Sequence, residues 1–301
     1  MQSGGLVWIP LTLGATIAQV FRTARQHELR QFLSSSGAAY VRFLFAWPLA
    51  VLWGLLTWLR LPEGTDIQIN FWLWSAMAGL VQITGTILLL QAFRARDFAI
   101  GTVYSKAEVI LVAIGSAVFL NEPLRGLGWL GAAVVLIGVA LLAATSGIEA
   151  ALQRWGDPSA RLGIGAGLFF ALSAVGIRGA ATSIISATVW ERTSLTLLAI
   201  LSCQALLHGV FLAVTDRHQL VLIWTHRARC LPVGVLSFAG TTGWIAAMTV
   251  ATAAKVRTLG QVEIVLVFLI SLIRMREQHP RRDYLGSGLV LIGVLLVVAL
   301  G

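Results

Sequence analysis

Long apolar stretches separated by short polar ones make up almost the whole chain. A helix that crosses a bilayer needs about 20 apolar residues, and most of these stretches are close to that length. The ten predicted helices are Leu6–Phe21, Ala38–Leu59, Phe71–Phe93, Phe98–Leu120, Gly126–Ala144, Leu162–Ile177, Ser186–Val214, Leu231–Ala253, Thr258–Ile273 and Tyr284–Leu300. The pattern therefore predicts an all-α membrane protein with ten transmembrane helices.

The ten predicted helices fall into two related groups of five. A polar linker, residues 145–161, separates residues 1–144 from residues 162–301. With an offset of 155 residues and no gap, several positions coincide: Glu108 with Glu263, Ser116 with Ser271, Glu122 with Glu277, Gly131 with Gly286, and Gly138 with Gly293. Apolar composition alone does not bring glutamates and glycines into register, so an internal repeat is predicted.

Five helices is an odd number, so the second repeat must enter the membrane in the opposite sense to the first. Inverted repeats are a recurring architecture of secondary transporters, in which the substrate site lies near the bilayer midplane between the repeats. The sequence thus predicts two inverted five-helix repeats that expose a central site alternately to either side of the membrane.

Composition agrees with a membrane protein and excludes several other classes. The chain is 57% hydrophobic and 12% charged, whereas soluble domains are about 25% charged. The net charge of +9 would suggest a nucleic-acid partner, but the basic residues lie in short loops, where they set membrane topology. No phosphate loop, zinc motif or nucleophile motif occurs, so no enzyme activity, metal or cofactor is predicted.

The distribution of the basic residues predicts an orientation in a bacterial-type inner membrane. Connections after odd-numbered predicted helices hold fourteen lysines and arginines, and those after even-numbered helices hold five. Basic loops stay in the cytoplasm, so both chain termini are predicted to lie outside it.

Several short segments resemble the EamA type of the drug/metabolite transporter superfamily. The end of the fourth helix of each family repeat carries a Gly-Glu-like element; residues 119–123 (FLNEP) and 274–277 (RMRE) stand there. The glycine-containing fifth helices are similar to residues 130–139 and 285–294, and an arginine opens an apolar run in residues 40–46 (YVRFLFA).

The resemblance covers essentially the whole chain and implies one EamA-like repeat on either side of the linker. It implies a transporter of small polar metabolites, and an exporter of amino acids or related compounds in particular. A lipid-carrier or lipid flippase, or a non-transporting membrane partner with the same packing, is the alternative from another class.

Glu108 and Glu263, in the fourth and ninth predicted helices, are the principal candidate site residues. An ionised carboxylate at the centre of a membrane costs about 2.5–3.5 kcal/mol even on the most lenient scale, so each must be paired, neutral or hydrated. They could bind a substrate or a proton. The alternative is a pair that bonds backbone or hydroxyl groups where the repeats meet.

Other polar residues within predicted helices complete the candidate site. Lys106 could bind a substrate carboxylate, pair with an acid of another helix or extend toward the interface. In an ideal helix it lies about 200° from Glu108, so the two should not share a face. The remaining candidates for substrate binding or coupling are Tyr104, Gln82, Gln91 and Trp244.

Glycines at 131 and 138, and at 286 and 293, predict a smooth face on the fifth and tenth helices. Small residues let membrane helices approach closely. Such a face suits packing within one chain, and it could also serve a dimer, so monomer and homodimer both remain open.

The orientation can be tested with a reporter enzyme that is active only in the periplasm. Fused after Gly301, it should be active in intact cells, because the terminus is predicted to lie outside the cytoplasm. A signal only from a reporter that requires the cytoplasm would contradict the prediction.

Overall fold

Helices account for most of the described chain, which comprises residues 6–95, 105–143, 158–266 and 281–301 of a computed structural model. They are α1 (Trp8–Glu28), α2 (Ser35–Leu44), α3 (Trp47–Trp58), α4 (Ile69–Ala95), α5 (Glu108–Phe119), α6 (Leu127–Ala143), α7 (Pro158–Thr182), α8 (Val189–Thr215), α9 (Arg217–Thr225), α10 (Arg227–Val250), α11 (Ala253–Gly260) and α12 (Arg281–Leu300). A 3₁₀ turn, Leu29–Gln31, follows α1, and two short strands, β1 (Asp66–Ile67) and β2 (Ile184–Ile185), complete the fold.

Five stretches of the described residues are long and apolar enough to cross a membrane: Ser35–Trp58, Ile69–Ala92, Arg161–Thr182, Val189–Thr215 and Arg227–Val250. Shorter apolar helices are Glu108–Phe119, Leu127–Leu141 and Tyr284–Leu300. The predicted helical, multi-pass architecture is therefore observed. Parts of the fourth and ninth predicted helices, residues 98–104 and 267–273, lie outside the described residues.

Two helix starts differ from the predicted segments, and proline explains both. The predicted second helix is divided into α2 and α3, with Pro48 in the first turn of α3. α7 begins at Pro158, within the predicted linker. Proline is well tolerated in the first helical turn because the N–H it lacks would have no partner there. α8, without proline, is continuous over 27 residues.

The chain forms two compact units, and each contains segments of both halves of the sequence. The first unit comprises residues 1–87 and 176–251, and the second comprises residues 88–175 and 252–301. Each unit therefore combines segments that are far apart in the sequence.

Contacts between loops of the first unit report on how the chain crosses the membrane. β1 and β2 pair antiparallel, with Asp66 opposite Ile185. A second contact joins the connection before α2 to α9: the backbone N–H of Ser34 donates to Oε1 of Gln219 at 2.8 Å. Two connections that bond to each other lie on the same side of the membrane. The chain between them must therefore cross the membrane an even number of times. The predicted helices give four crossings between β1 and β2 and six between Ser34 and Gln219.

In the second unit, α6 and α12 cross at their glycines. A Cβ placed on Gly138 would lie 2.7 Å from the carbonyl oxygen of Gly286, and one on Gly131 would lie 2.8 Å from that of Gly293. The predicted smooth faces therefore pack against each other within one chain. The two contacts are equivalent under the offset of 155 residues, so the helices cross with the symmetry of the repeat.

Because backbone lies opposite Gly138, Gly138→Ala should force α6 and α12 apart and lower stability by about 1–3 kcal/mol, the usual cost of overpacking. Gly288→Ala is the matched control, since nothing lies within 4 Å of a Cβ there, and a helical alanine is favourable. Thermal unfolding of the purified proteins measures both. Equal melting temperatures for the two variants would contradict this account of the crossing.

Candidate functional site

Both repeats interrupt one apolar helix with the same tight turn. α5 begins only at Glu108, after a turn at residues 106–107, and α11 ends one residue before a turn at Gln261, after which residues 262–266 are helical again. In the first turn the N–H of Val109 donates to the carbonyl of Lys106 at 3.2 Å; in the second that of Ile264 donates to Gln261 at 3.1 Å. These bonds coincide under the repeat offset. Three-residue turns inside a helix often mark functional positions.

The interruptions place both candidate glutamates deep in the apolar part of the chain. Glu108 lies 11 residues before the end of α5, and Glu263 lies 10 residues after the start of α11. At 1.5 Å per residue these are distances of about 17 and 15 Å. Half of a bilayer hydrocarbon core is about 15 Å. Each carboxylate thus lies about half the thickness of a hydrocarbon core from the end of α5 or from the start of α11.

Glu108 accepts hydrogen bonds on both of its carboxylate oxygens. Nη2 of Arg257 donates to Oε2 at 2.6 Å, and Nε2 of Gln261 donates to Oε1 at 3.3 Å. The guanidinium supplies a full positive charge, which makes the first bond an ion pair. Both partners come from the α11 segment, in the second half of the sequence.

Glu263 forms the second ion pair of the cluster, in which Nζ of Lys106 donates to Oε1 of Glu263. Between 5% and 14% of each of the four charged side chains is exposed. We call these residues, together with Gln261, the charge cluster. Its two cations balance its two anions.

The charge cluster follows the symmetry of the repeat in part. Gln261 stands 155 residues after Lys106, and Glu263 stands 155 residues after Glu108. The contacts of Lys106 with Glu263 and of Gln261 with Glu108 are therefore the same contact made twice. The symmetry is broken chemically, because one copy has a lysine and the other a glutamine, and Arg257 supplies the missing charge.

The structure departs from the ideal-helix expectation for Lys106 and Glu108. A continuous helix would turn them away from each other, but the turn at residues 106–107 lets both contact the segment from Arg257 to Glu263. Of the alternatives for Lys106, the structure has the one in which it pairs with an acid of another helix.

Two members of the charge cluster were not among the predicted residues. Arg257 falls within the very short predicted connection 254–257, which makes it a predicted loop residue, but it lies in α11 and is largely buried. The repeat alignment places Gln261 at the position equivalent to Lys106, so the alignment could have identified Gln261 as a candidate. Arg257 is equivalent to the uncharged Thr102, so the alignment gives no indication of its role.

The remaining predicted residues have separate environments. In the first unit, Gln82 accepts a hydrogen bond at 2.6 Å from the buried Gln204. In the same unit Trp244 is 6% exposed and donates to Gln19 at 3.2 Å. Gln91 is exposed in the second unit, and Tyr104 lies outside the described residues. Within the described ranges, no group of three or more His, Cys, Asp or Glu could hold a metal ion.

Comparison with known families identifies the chain. The model of the EamA-like transporter family matches it twice, over residues 6–144 and 160–299. The chain belongs to the EamA-like transporter family. It is therefore a multi-pass membrane protein of a transporter family, built from two EamA repeats.

Individual relatives agree with the EamA assignment. An uncharacterized transporter in the cobO 3′ region of Sinorhizobium sp is 33% identical over 79 residues, which is 26% of this chain and 56% of that protein. The match thus spans about half the length of this curated relative. A solved structure described only as the crystal structure of a protein aligns over 100% of this chain and 99% of its own, with a TM-score of 0.68 and 13% identity, and so shares the fold.

Glu108→Gln should destabilise the protein by about 3–5 kcal/mol, because it removes the anion from a largely buried ion pair with Arg257. The double variant Glu108→Gln with Arg257→Met removes both charges and should recover most of the loss. Thermal unfolding in detergent provides the measurement.

The matched control for Glu108→Gln is Glu28→Gln. This change breaks an exposed pair with Arg25, in which both side chains are at least 60% exposed, and exposed pairs contribute at most about 1 kcal/mol. If the two single variants melt at the same temperature, the Glu108–Arg257 pair does not carry the stability assigned to it.

Proposed function

We propose that this EamA protein is a secondary transporter of small polar metabolites, and specifically an exporter of amino acids or related compounds, which works by alternating access between two inverted repeats. The observation that carries the proposal is the charge cluster, in which the glutamates at matching positions of the two repeats are each buried in an ion pair.

A purely architectural role explains the charge cluster less well than transport. Well-packed apolar residues usually stabilise a buried position as well as an ion pair does, or better. Ionisable residues inside membrane proteins typically face a bundle interior and mark substrate or ion pathways. Buried charges about half a hydrocarbon core from a helix end, beside two interrupted helices, suit the substrate site of an inverted-repeat transporter.

The presence of both signs of charge in the cluster supports a substrate that itself carries both signs. A zwitterion such as an amino acid can place its carboxylate near Lys106 and its ammonium near Glu263. In this proposal Lys106, Glu108 and Glu263 bind the substrate or a coupling proton.

The other predicted residues, Tyr104, Gln82, Gln91 and Trp244, remain predictions for substrate binding or coupling in this proposal. Glutamine and tyrosine side chains can bond to a polar solute in either direction, because each carries both a donor and an acceptor.

We place the protein in an inner, or plasma, membrane with both termini outside the cytoplasm. Burial removes one basic residue from each side of this count, Arg257 from the poorer side and Arg22 from the richer. Thirteen basic residues then face four, so the asymmetry that directs basic loops to the cytoplasm is kept.

Transport can be tested in proteoliposomes with radiolabelled amino acids. The wild-type protein should exchange labelled for unlabelled solute, and the variant with Lys106→Gln and Glu263→Gln should be slower. Each lost charge-assisted hydrogen bond is worth about 1.5–3 kcal/mol, which corresponds to about a ten-fold or larger fall in initial rate.

The control variant for transport combines Arg25→Gln and Glu28→Gln. It removes the same numbers of positive and negative charges at an exposed pair, and it should transport at the wild-type rate. Full transport by the variant at Lys106 and Glu263 would remove these residues from the site. No flux of any polar metabolite in the wild-type protein would overturn the proposed function itself.

A further inference from the structure

α9 is a short helix between two helices that are long enough to cross the membrane. It follows α8, whose apolar stretch is Val189–Thr215, and precedes α10, whose apolar stretch is Arg227–Val250. The nine residues of α9 are too few to cross a bilayer. Because a connection between two crossings must lie near a membrane surface, α9 lies near the level of the lipid headgroups.

One face of α9 packs against the rest of the first unit. Gln219 and Ile223 are four positions apart and therefore share a face, and they are only 8% and 1% exposed. Gln219 accepts a hydrogen bond from the backbone N–H of Ser34 at 2.8 Å. Just after the helix, the ring centroids of His226 and Phe32 are 4.2 Å apart. These contacts determine which face of α9 is turned away from the protein.

The opposite face of α9 exposes two large apolar side chains next to an arginine. At 3.6 residues per turn, Arg217, Val221 and Trp224 lie within about 60° of one another and away from the packed face. Val221 is 61% exposed and Trp224 is 65% exposed. Tryptophan and arginine on the outer face of a surface helix are typical of a helix that lies in the membrane interface. This face therefore contacts lipid.

Arg227, the first residue of α10, is held beside the exposed tryptophan. Its Cζ lies 5.7 Å from the centroid of the Trp224 ring, which is within the range of a cation–π contact. Its Nη1 donates to the backbone carbonyl of Trp224 at 3.3 Å. A guanidinium has five N–H donors, and this bond uses one of them. The two contacts fix the position of the charge and leave donors for a further acceptor.

Positive charge predominates on this side of α9. Residues 215–230 contain three arginines, Arg217, Arg227 and Arg229, and one acidic residue, Asp216. All four are exposed, and none of them forms an ion pair within the part of the chain that the structure describes. The surface is therefore complementary to an anion that is attached to an apolar body.

We propose that Arg217, Val221, Trp224 and Arg227 form a binding surface for an anionic phospholipid. We call these four residues the α9 surface. Arg227 binds the headgroup phosphate, since arginine can donate two parallel hydrogen bonds to a phosphate. Trp224 and Val221 contact the glycerol and the upper acyl chains. An anionic lipid is preferred because it brings no ammonium group close to the arginines. The inference is independent of the transported substrate.

The affinity for phospholipid can be measured by native mass spectrometry of the full chain in detergent. The probes are dioleoylphosphatidylglycerol, which is anionic, and dioleoylphosphatidylcholine, which has the same acyl chains and no net charge. The wild-type protein should bind the first phosphatidylglycerol molecule at least about five-fold more tightly. This factor is the contribution of one arginine near an anionic membrane surface.

The variants separate the two parts of the α9 surface. Arg227→Gln should lower the affinity for phosphatidylglycerol about five-fold and leave that for phosphatidylcholine unchanged, because it removes charge only. Trp224→Ala should lower the affinity for both lipids, because it removes apolar contact as well as the support of Arg227. An Arg227→Gln variant with the wild-type preference for phosphatidylglycerol would overturn the inference.

Each variant has a matched control. Arg229→Gln removes the same charge two residues later, about 200° around α10 from Arg227. Trp58→Ala removes a tryptophan that is 52% exposed at the end of α3. Both controls should keep the wild-type affinities. Equal losses in a control and in its partner variant would show a general effect of charge or apolar area, and would contradict a specific surface.

Two further measurements distinguish other occupants of the α9 surface. Glycerol 3-phosphate carries the phosphate without acyl chains, so it should not displace phosphatidylglycerol at the same concentration. Displacement would indicate a site for a soluble anion and overturn the inference. A dimer that is lost in Trp224→Ala would show that a second copy covers the surface, and would also overturn it. None of these measurements requires transport, so their failure would leave the proposed function unaffected.

Discussion

A bilayer offers no water to a buried charge, and this constraint governs the centre of the second unit. Each charge placed there must find its opposite within the protein. Glu108 satisfies this requirement by pairing with Arg257, and Glu263 by pairing with Lys106. Each of these two pairs joins the first half of the sequence to the second.

The same unit depends on the absence of side chains where α6 and α12 cross. Glycines bring backbone against backbone at two symmetric points, so dispersion replaces the hydrophobic driving force that lipid cannot provide between helices. The charged pairs and the glycine crossing are complementary: the first specify which segments meet, and the second sets how closely they meet.

An exact repeat would have given two identical sites. Here the contact made by Lys106 in one copy is made by Gln261 in the other, and the missing charge comes from Arg257, at a position without a charged counterpart. The departure from symmetry gives the two equivalent glutamates different cationic partners, a lysine in one copy and an arginine in the other.

The helical membrane architecture, the repeat and the choice of Glu108 and Glu263 as candidate residues could be read from the sequence, because hydrophobic run length and register depend only on the order of residues. The interruptions at residues 106–107 and at Gln261, and the pairing of Glu108 with Arg257, required the tertiary structure. Neither turn contains a proline, and Arg257 resembles a loop charge until α11 is folded against α5. The members of each ion pair lie about 150 residues apart and come into contact only when the helices pack. No local sequence pattern predicts that contact.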